Sequence, residues 1–325
     1  MKTGRPATMA LNGMVSTPHY LASQAGWRVL REGGNAVDAA IAANAVLNVV
    51  MPDNCALGGD AFFMIWDPKK KQVTGLNGSG VTPAGTSIDA VRAAGHETMP
   101  DRGAWTVTVP GTVEAWSRAL EAYGTRELDY LLVDALRYAS EGFPVTPHLH
   151  DSITASSALL KQNEAASRQF LPGGKVPAAG SILKQPALAA SFREIIRGGP
   201  RAFYEGKVGG QILKSLHAAG SPMTAEDLAG QRSDWVTPIT TDYRGYKVFE
   251  MPPNTQGVTA LQLLNIASGW DPAGLPDGSA EQIHHFVEAK KQAFLDRDHY
   301  IGDPRMVDVP VDWLISAERA DEMRA

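Results

Sequence analysis

The chain has 325 residues, enough to bury a sizeable core as one large domain or two ordinary ones. Hydrophobic residues make up 44% and charged residues 20%, the balance of a globular protein rather than a disordered or fibrous one. The net charge of -5, with no basic run longer than Lys69-Lys70-Lys71, argues against a nucleic-acid partner.

The first predicted helix starts at Thr17-Pro18, a capping hydroxyl followed by proline at the first helical position. Leu21, Ala22, Ala25, Val29 and Leu30 mark its inner face, and Gly33-Gly34 stops it. Asn35 then caps a second helix, with Asp38 three residues on to favour the dipole. From Ala36 to Val50 this helix is apolar nearly all round, the mark of a buried helix whose alanines let neighbours approach closely. Pro52 ends it. Gly58-Gly59-Asp60 makes a tight loop, and Ala61 to Trp66 reads as a fully buried strand. Asp60, directly after two glycines, is placed to hold loop amides or to line a cleft.

Gln72 to Leu76 is expected to return antiparallel to that strand through a turn at the lysine triplet. Asn77-Gly78-Ser79-Gly80 opens into a loop closed by Pro83. Ser87 to Ala94 is a short helix, Trp105 to Val109 a strand, and Pro110-Gly111-Thr112 turns into a helix ending near Gly124. Leu128, Leu131, Leu132, Ala135, Leu136 and Ala139 fall at helical spacing up to Gly142. From about His148 to Gly220 the text is helix broken by loops such as Leu171-Pro172-Gly173-Gly174. Thr224 with Asp227 starts another helix as a capping box. A hairpin through Tyr243-Arg244-Gly245-Tyr246 follows. Gly257 to Ser268 is helical, and Ala280 to Tyr300 is a long amphipathic helix with Ile283, Phe286, Val287, Phe294 and Leu295 inward. There is no internal repeat and no clear linker, so residues 1–325 read as a single, layered α/β domain.

The chemistry in this chain is sparse. It holds no GxSxG elbow, no HExxH and no phosphate loop. His284, His285 and Glu288 share a helix face, but two or three groups on one helix suit a surface role better than a metal site. Asp296, Arg297, Asp298 and Asp303 read as an ion-pair cluster at a helix end. Cys55, the only cysteine, excludes an intrachain disulfide and is expected to be a buried structural thiol. The N-terminal MKTGRPATMALNGM lacks a continuous apolar stretch, and no window of about 18 uncharged apolar residues occurs. A cytoplasmic protein without a membrane partner is expected, provided Met1 is the native start.

GGNAVDAAIAANAVLNVVMP (Gly33 to Pro52), followed by LGGDAFF, resembles the signature of the γ-glutamyltransferase (γ-glutamyltranspeptidase) family. The resemblance continues in order through TPHYLASQAG, TVPGTVEAW, YRGYKV, PPNTQGVTALQLLNI and EAKKQAFLDRDHYIGDP, and so covers almost the whole chain. It implies an α+β fold, the four-layer αββα sandwich of N-terminal-nucleophile hydrolases, completed by a second, small subunit. In such proteins a precursor cleaves itself, and the new N-terminal threonine of the small subunit is the nucleophile, its own α-amine serving as base. The chain stops at Glu318 to Ala325, before a small subunit would start. It therefore reads as a large subunit with no catalytic residue of its own. The implied partners are that small subunit and a small-molecule amide, and a dimer of heterodimers is a further arrangement open to it. No metal and no organic cofactor is implied.

The family also implies one wall of the substrate pocket here. Glutathione-cleaving members carry an arginine, in a run similar to S-R-E-x-A-P, that clamps the substrate's α-carboxylate in a directional, bidentate contact. Counting back from Pro83 puts Ser79 at that arginine position. A second branch, reading S-G-R-A-P, has its arginine where this chain has Val81. The expected substrate-binding residues are thus Asn77, Ser79, Gly80 and Val81, without either arginine. Arg102, Arg5 or a small-subunit arginine are the alternative cations. Related branches without the clamp include cephalosporin and glutaryl acylases and an oxamate amidohydrolase. The expected activity is therefore hydrolysis of a small non-glutamyl amide. A true γ-glutamyltransferase or glutathione hydrolase, and a non-catalytic paralogue, are the alternatives.

Overall fold

The computed structural model describes residues 7–271 and 274–324 and is α+β, with helix predominating. In chain order, α1 (Tyr20–Arg31) and α2 (Ala36–Val50) lead into β1 (Ala61–Asp67) and β2 (Gln72–Gly78). A helical stretch follows: α3 (Ile88–Ala93), α4 (Thr112–Tyr123), α5 (Leu128–Leu131) and α6 (Val133–Glu141). After the short strand β3 (Phe143–Pro144) come α7 (Pro147–Ala155), α8 (Ser157–Leu160) and α9 (Glu164–Phe170). Strand β4 (Ile182–Leu183) precedes α10 (Pro186–Tyr204), α11 (Lys207–Ala218) and α12 (Ala225–Gly230). The chain then forms β5 (Asp234–Val236), β6 (Ile239–Tyr243) and β7 (Tyr246–Glu250). It closes with α13 (Gly257–Ser268), α14 (Ala280–Tyr300), α15 (Val311–Leu314) and α16 (Ala317–Arg324).

These elements divide into two compact units, the boundaries falling inside β1 and β2. Ala10–Phe62 and Gly78–Ser233 make a helical unit. The described residues of Met1–Met9, Phe63–Asn77 and Asp234–Ala325 make a second, sheet-bearing unit.

In the helical unit α2 is the core, with Ile41, Ala42, Ala45, Val46, Val49 and Val50 wholly buried. Asn35 caps its start as expected, and Asp38 completes a capping box. Asn35 accepts from the amides of Val37 and Asp38, and Asp38 accepts from the amide of Asn35. Asp38 does more than capping requires: its buried carboxylate also receives the amides of Thr125 and Arg126 and the Thr125 hydroxyl. One acidic side chain thereby ties the start of α2 to the loop after α4. Trp116 of α4 donates to Asn44 of α2 at 3.0 Å, and Gln185 donates to the Val49 carbonyl at 2.6 Å.

Several expectations change here. The helix expected from Thr17-Pro18 begins at Tyr20, because the buried ring of His19 supplies the cap, accepting from Leu21 N at 3.2 Å. Burial holds the His19 imidazole below its ordinary pKa, as an acceptor nitrogen requires. The helix expected from Leu128 is two, α5 and α6, parted at Leu132. Trp105 to Val109 is not a strand: Ala104–Thr106 is a single 3-10 turn, and the segment beyond it runs to Pro110, which has no amide to offer a ladder. Cys55 is half-buried rather than buried, and burial pushes its thiol pKa up.

In the sheet-bearing unit, β2 pairs antiparallel with β5 in the register Gly75 to Val236, Leu76 to Trp235 and Asn77 to Asp234. The three-stranded order is β1-β2-β5, so β1 is an edge strand. Burial along β1 alternates, and Phe62, Met64 and Trp66 are 44%, 41% and 58% exposed. The expected fully buried strand is thus a strand with one apolar face uncovered, a pattern of period two that continuous hydrophobicity conceals. The hairpin β6–β7 turns at Arg244 and Gly245, both at positive φ.

Helix α14 is similarly reversed. Ala289, Ala293 and Asp296 are buried, whereas Ile283, Phe286, Val287 and Leu295, expected inward, are exposed and Phe294 is half-buried. Its small residues face α13 and α16, where Ala289 joins Ile266 and Ala320 in one apolar cluster. The expected ion-pair cluster is real but centred elsewhere. Buried Asp296 takes a bidentate pair from Arg319, at 3.0 and 2.7 Å, and a third bond from Gln262 at 2.8 Å. Arg297 pairs with Asp298, and Asp303 with Arg305.

Candidate functional site

The loop after β2 is shaped by backbone that passes closer than side chains allow. A Cβ on Gly80 would lie 1.6 Å from the Val109 carbonyl oxygen, and one on Gly111 would lie 1.9 Å from the Gly78 oxygen. Only glycine fits either place. The contact brings the Ser79-Gly80-Val81 segment against the segment leading into α4, and hydrogen bonds lock it. Val109 N donates to Val81 O, and the amides of Gly111 and Thr112 both donate to Gly59 O, each at 2.9 Å. Gly80 N donates to Asp60 Oδ1 at 2.8 Å.

Asp60 therefore does hold a loop amide, the first of its two expected roles. Although the residue is exposed, burial around its carboxylate raises the pKa above the ordinary aspartate value, with the Gly80 N–H working the other way. Tyr204 closes the rear: its hydroxyl donates to Pro110 O at 2.9 Å and accepts from Glu114 N at 3.0 Å. Burial pushes the Tyr204 pKa far up, and the nearby charges of Glu114 and Asp60 add to the shift. The phenol is thus a permanent hydrogen-bond donor at any physiological pH.

Buried Gln231 reaches Ser79 O through Nε2 at 3.4 Å, while its Oε1 and the buried Ser233 Oγ have no hydrogen-bond partner among the described residues. Such atoms cost about 1–3 kcal/mol each unless water or ligand meets them. The result is a fixed backbone platform, Ser79 to Val81, with a carboxylate on one side and buried polar groups behind. It can orient a ligand.

Of the sequence-expected residues, Ser79, Gly80 and Val81 are thus brought together in this one loop, all half-buried. Asn77 lies in β2 of the sheet-bearing unit, where its side chain donates to Asn254 Oδ1 at 2.9 Å. Arg102 is exposed, and Arg5 lies outside the described residues. His284 Nδ1 stands 4.0 Å from Glu288 Oε1, and His285 turns its ring to Trp270 and Nδ1 to the Glu281 carbonyl. Among the described residues no group of three His, Cys, Asp or Glu converges in a way that could hold a metal ion. Sequence reasoning missed Gln231 and Tyr204, which come from remote elements and carry no local motif. The close packing at Gly111 was signalled only by Pro110-Gly111.

Comparison with known proteins decides the family. The gamma-glutamyltranspeptidase family matches residues 22–325. The chain belongs to that family. A relative named glutathione hydrolase-like YwrD proenzyme, from Bacillus subtilis, is 40% identical over 311 residues, covering 95% of this chain but 59% of its own length. Among solved structures, the Helicobacter pylori gamma-glutamyltranspeptidase superposes with a TM-score of 0.92 at 31% identity, covering 98% of this chain and 93% of that one. Cephalosporin acylase from Bacillus halodurans superposes with a TM-score of 0.90 at 38% identity, covering 99% of this chain and 62% of that one. The chain thus spans about 59% of the length of the curated relative. Among the described residues no helix is long and apolar enough to cross a membrane.

Proposed function

We propose that this chain is the large-subunit part of a self-processing amidohydrolase or acyltransferase. The acyl-enzyme forms on the N-terminal threonine of a small subunit cut from the same precursor. The threonine hydroxyl attacks the amide carbonyl, its α-amine takes the proton, the amine product leaves, and water then releases the acid. Two findings support a second chain. Relatives of this sequence are named proenzymes, and the Helicobacter chain matched over 93% of its length has about the extent of this one, while the acylase chain runs on. The exposed apolar residues of β1 favour a four-layer sandwich in which a further sheet covers that face. In this reading residues 1–325 act together as one large subunit, in the cytoplasm.

The substrate reading rests on one observation: the locked loop presents Ser79, Gly80 and Val81, and neither arginine position carries an arginine. Each charged hydrogen bond lost to a carboxylate is worth about 1.5–3 kcal/mol, or roughly 10- to 150-fold in binding. A small amide without a γ-glutamyl group is the better substrate. A second reading, glutathione hydrolysis with the carboxylate held by another cation, is favoured by the name of the Bacillus subtilis relative.

Assay of the processed enzyme separates the two. Short-acyl and glutaryl amides should exceed γ-glutamyl anilide and glutathione in kcat/KM by at least about tenfold. Saturation by glutathione in the micromolar range would establish the second reading instead. Ser79→Arg or Val81→Arg should raise γ-glutamyl turnover relative to the parent.

A further inference from the structure

Remote from the Ser79 loop in sequence, helices α7, α8 and α9 enclose an open pocket of about 190 Å³ in the helical unit. Leu149 and Ile153, nearly fully buried, make its floor, and Leu160 and Phe170 make its walls. For scale, a dry apolar cavity of about 150 Å³ accommodates benzene, so one aromatic ring or a short hydrocarbon chain fits. The rim is different in kind. Asp53, an exposed residue whose side chain is 22% exposed, stands there, joined by Ser152 and Ser156.

Asp53 follows the C-terminus of α2, whose aligned carbonyls place partial negative charge on the same side. The side chain that faces the carboxylate is the imidazole of His148, with Nε2 at 3.6 Å, a ring 68% exposed and not held by the pocket. A surface contact of that kind is weak and replaceable. Shape and charge therefore agree: apolar depth for one ring, an anionic rim, and hydroxyls able to accept N–H donors.

We infer that this pocket binds a small organic ammonium ion, its hydrocarbon part against Leu149, Ile153 and Phe170 and its charged nitrogen on Asp53. The ligand class is an aryl- or alkylamine of one ring or of comparable chain length. The inference is independent of the amide-hydrolase reading, since no residue of the Ser79 loop lines the pocket.

The probe is benzylammonium chloride, titrated into the full protein by calorimetry and by proton NMR of the ligand, with benzyl alcohol as the neutral counterpart. Saturable one-to-one binding with a Kd of about 1 mM or tighter is expected. Benzyl alcohol should bind about tenfold more weakly, and Asp53→Asn should weaken benzylammonium by a similar factor while leaving the alcohol unchanged. Ser156→Trp, which fills the rim without touching the buried floor, should abolish both. Equal binding of alcohol and ammonium, indifference to Asp53→Asn, or no saturation at all would overturn the inference. Unchanged melting temperatures of the two variants make a loss of binding a local effect.

Discussion

Gly80 leaves no room for a substituent, and Asp60 fixes its amide, so these two residues set the geometry of the candidate loop. Gly80→Ala must displace the Val109 backbone and should cost about 1–3 kcal/mol, measured by denaturant unfolding. Asp60→Asn is more informative, because the amide oxygen can still accept from Gly80 N. Burial raises the Asp60 pKa in the folded protein, so the folded state binds its proton more tightly than the unfolded chain does. Wild type should therefore lose stability relative to Asp60→Asn as the pH rises from the ordinary aspartate range through the raised value. A difference that grows in the opposite direction would mean that the carboxylate is stabilised, not penalised, by its surroundings. The importance of Asp60 could be suspected from Gly58-Gly59-Asp60 alone, since a short acidic side chain after glycines commonly binds loop amides. Its partner could not, because nothing local links residue 60 to residue 80.

At the scale of elements, side chains whose partners lie within a turn were readable and those whose partners lie in another element were not. The Asn35 cap, the Thr224–Asp227 capping box, and the extents of α13 and α14 follow from local rules. The additional bonds that Asp38 makes to Thr125 and Arg126 depend on tertiary packing. Asp38→Ala should consequently cost more than a lost cap, about 2–4 kcal/mol against about 1 kcal/mol.

The same division explains Asp296 and Arg319. Arg319→Met would leave a buried carboxylate with only Gln262 among the described residues, and should destabilise by about 3–5 kcal/mol. Adding Asp296→Asn should restore part of that loss, a coupling that a double-mutant cycle reads directly. The misread burial of β1 and α14 has one physical cause. Hydrophobic runs report that a face is apolar, and they do not say which chain covers it.

For the molecule as a whole, the uncovered residues Phe62, Met64 and Trp66 on an edge strand, with Ile283, Val287 and Leu295 on α14, are an aggregation liability in isolation. Residues 1–325 expressed alone should associate or precipitate, and Trp66→Lys should shift sedimentation toward monomer. A monodisperse isolated chain with a cooperative melt would count against a missing cover. The family was legible from collinear motifs across nearly the whole length, whereas the proposed substrate preference rests only on an absence, the two arginines. Packing against the Val109 backbone bars a side chain only at Gly80 itself, between those two positions.

The two-chain enzyme is tested most directly by denaturing intact-mass analysis of protein made from the complete precursor, with N-terminal sequencing of each species. The account predicts two polypeptides from one precursor, the smaller beginning with threonine. A single uncleaved chain, or a smaller polypeptide beginning with a residue that cannot act as a nucleophile, would contradict it.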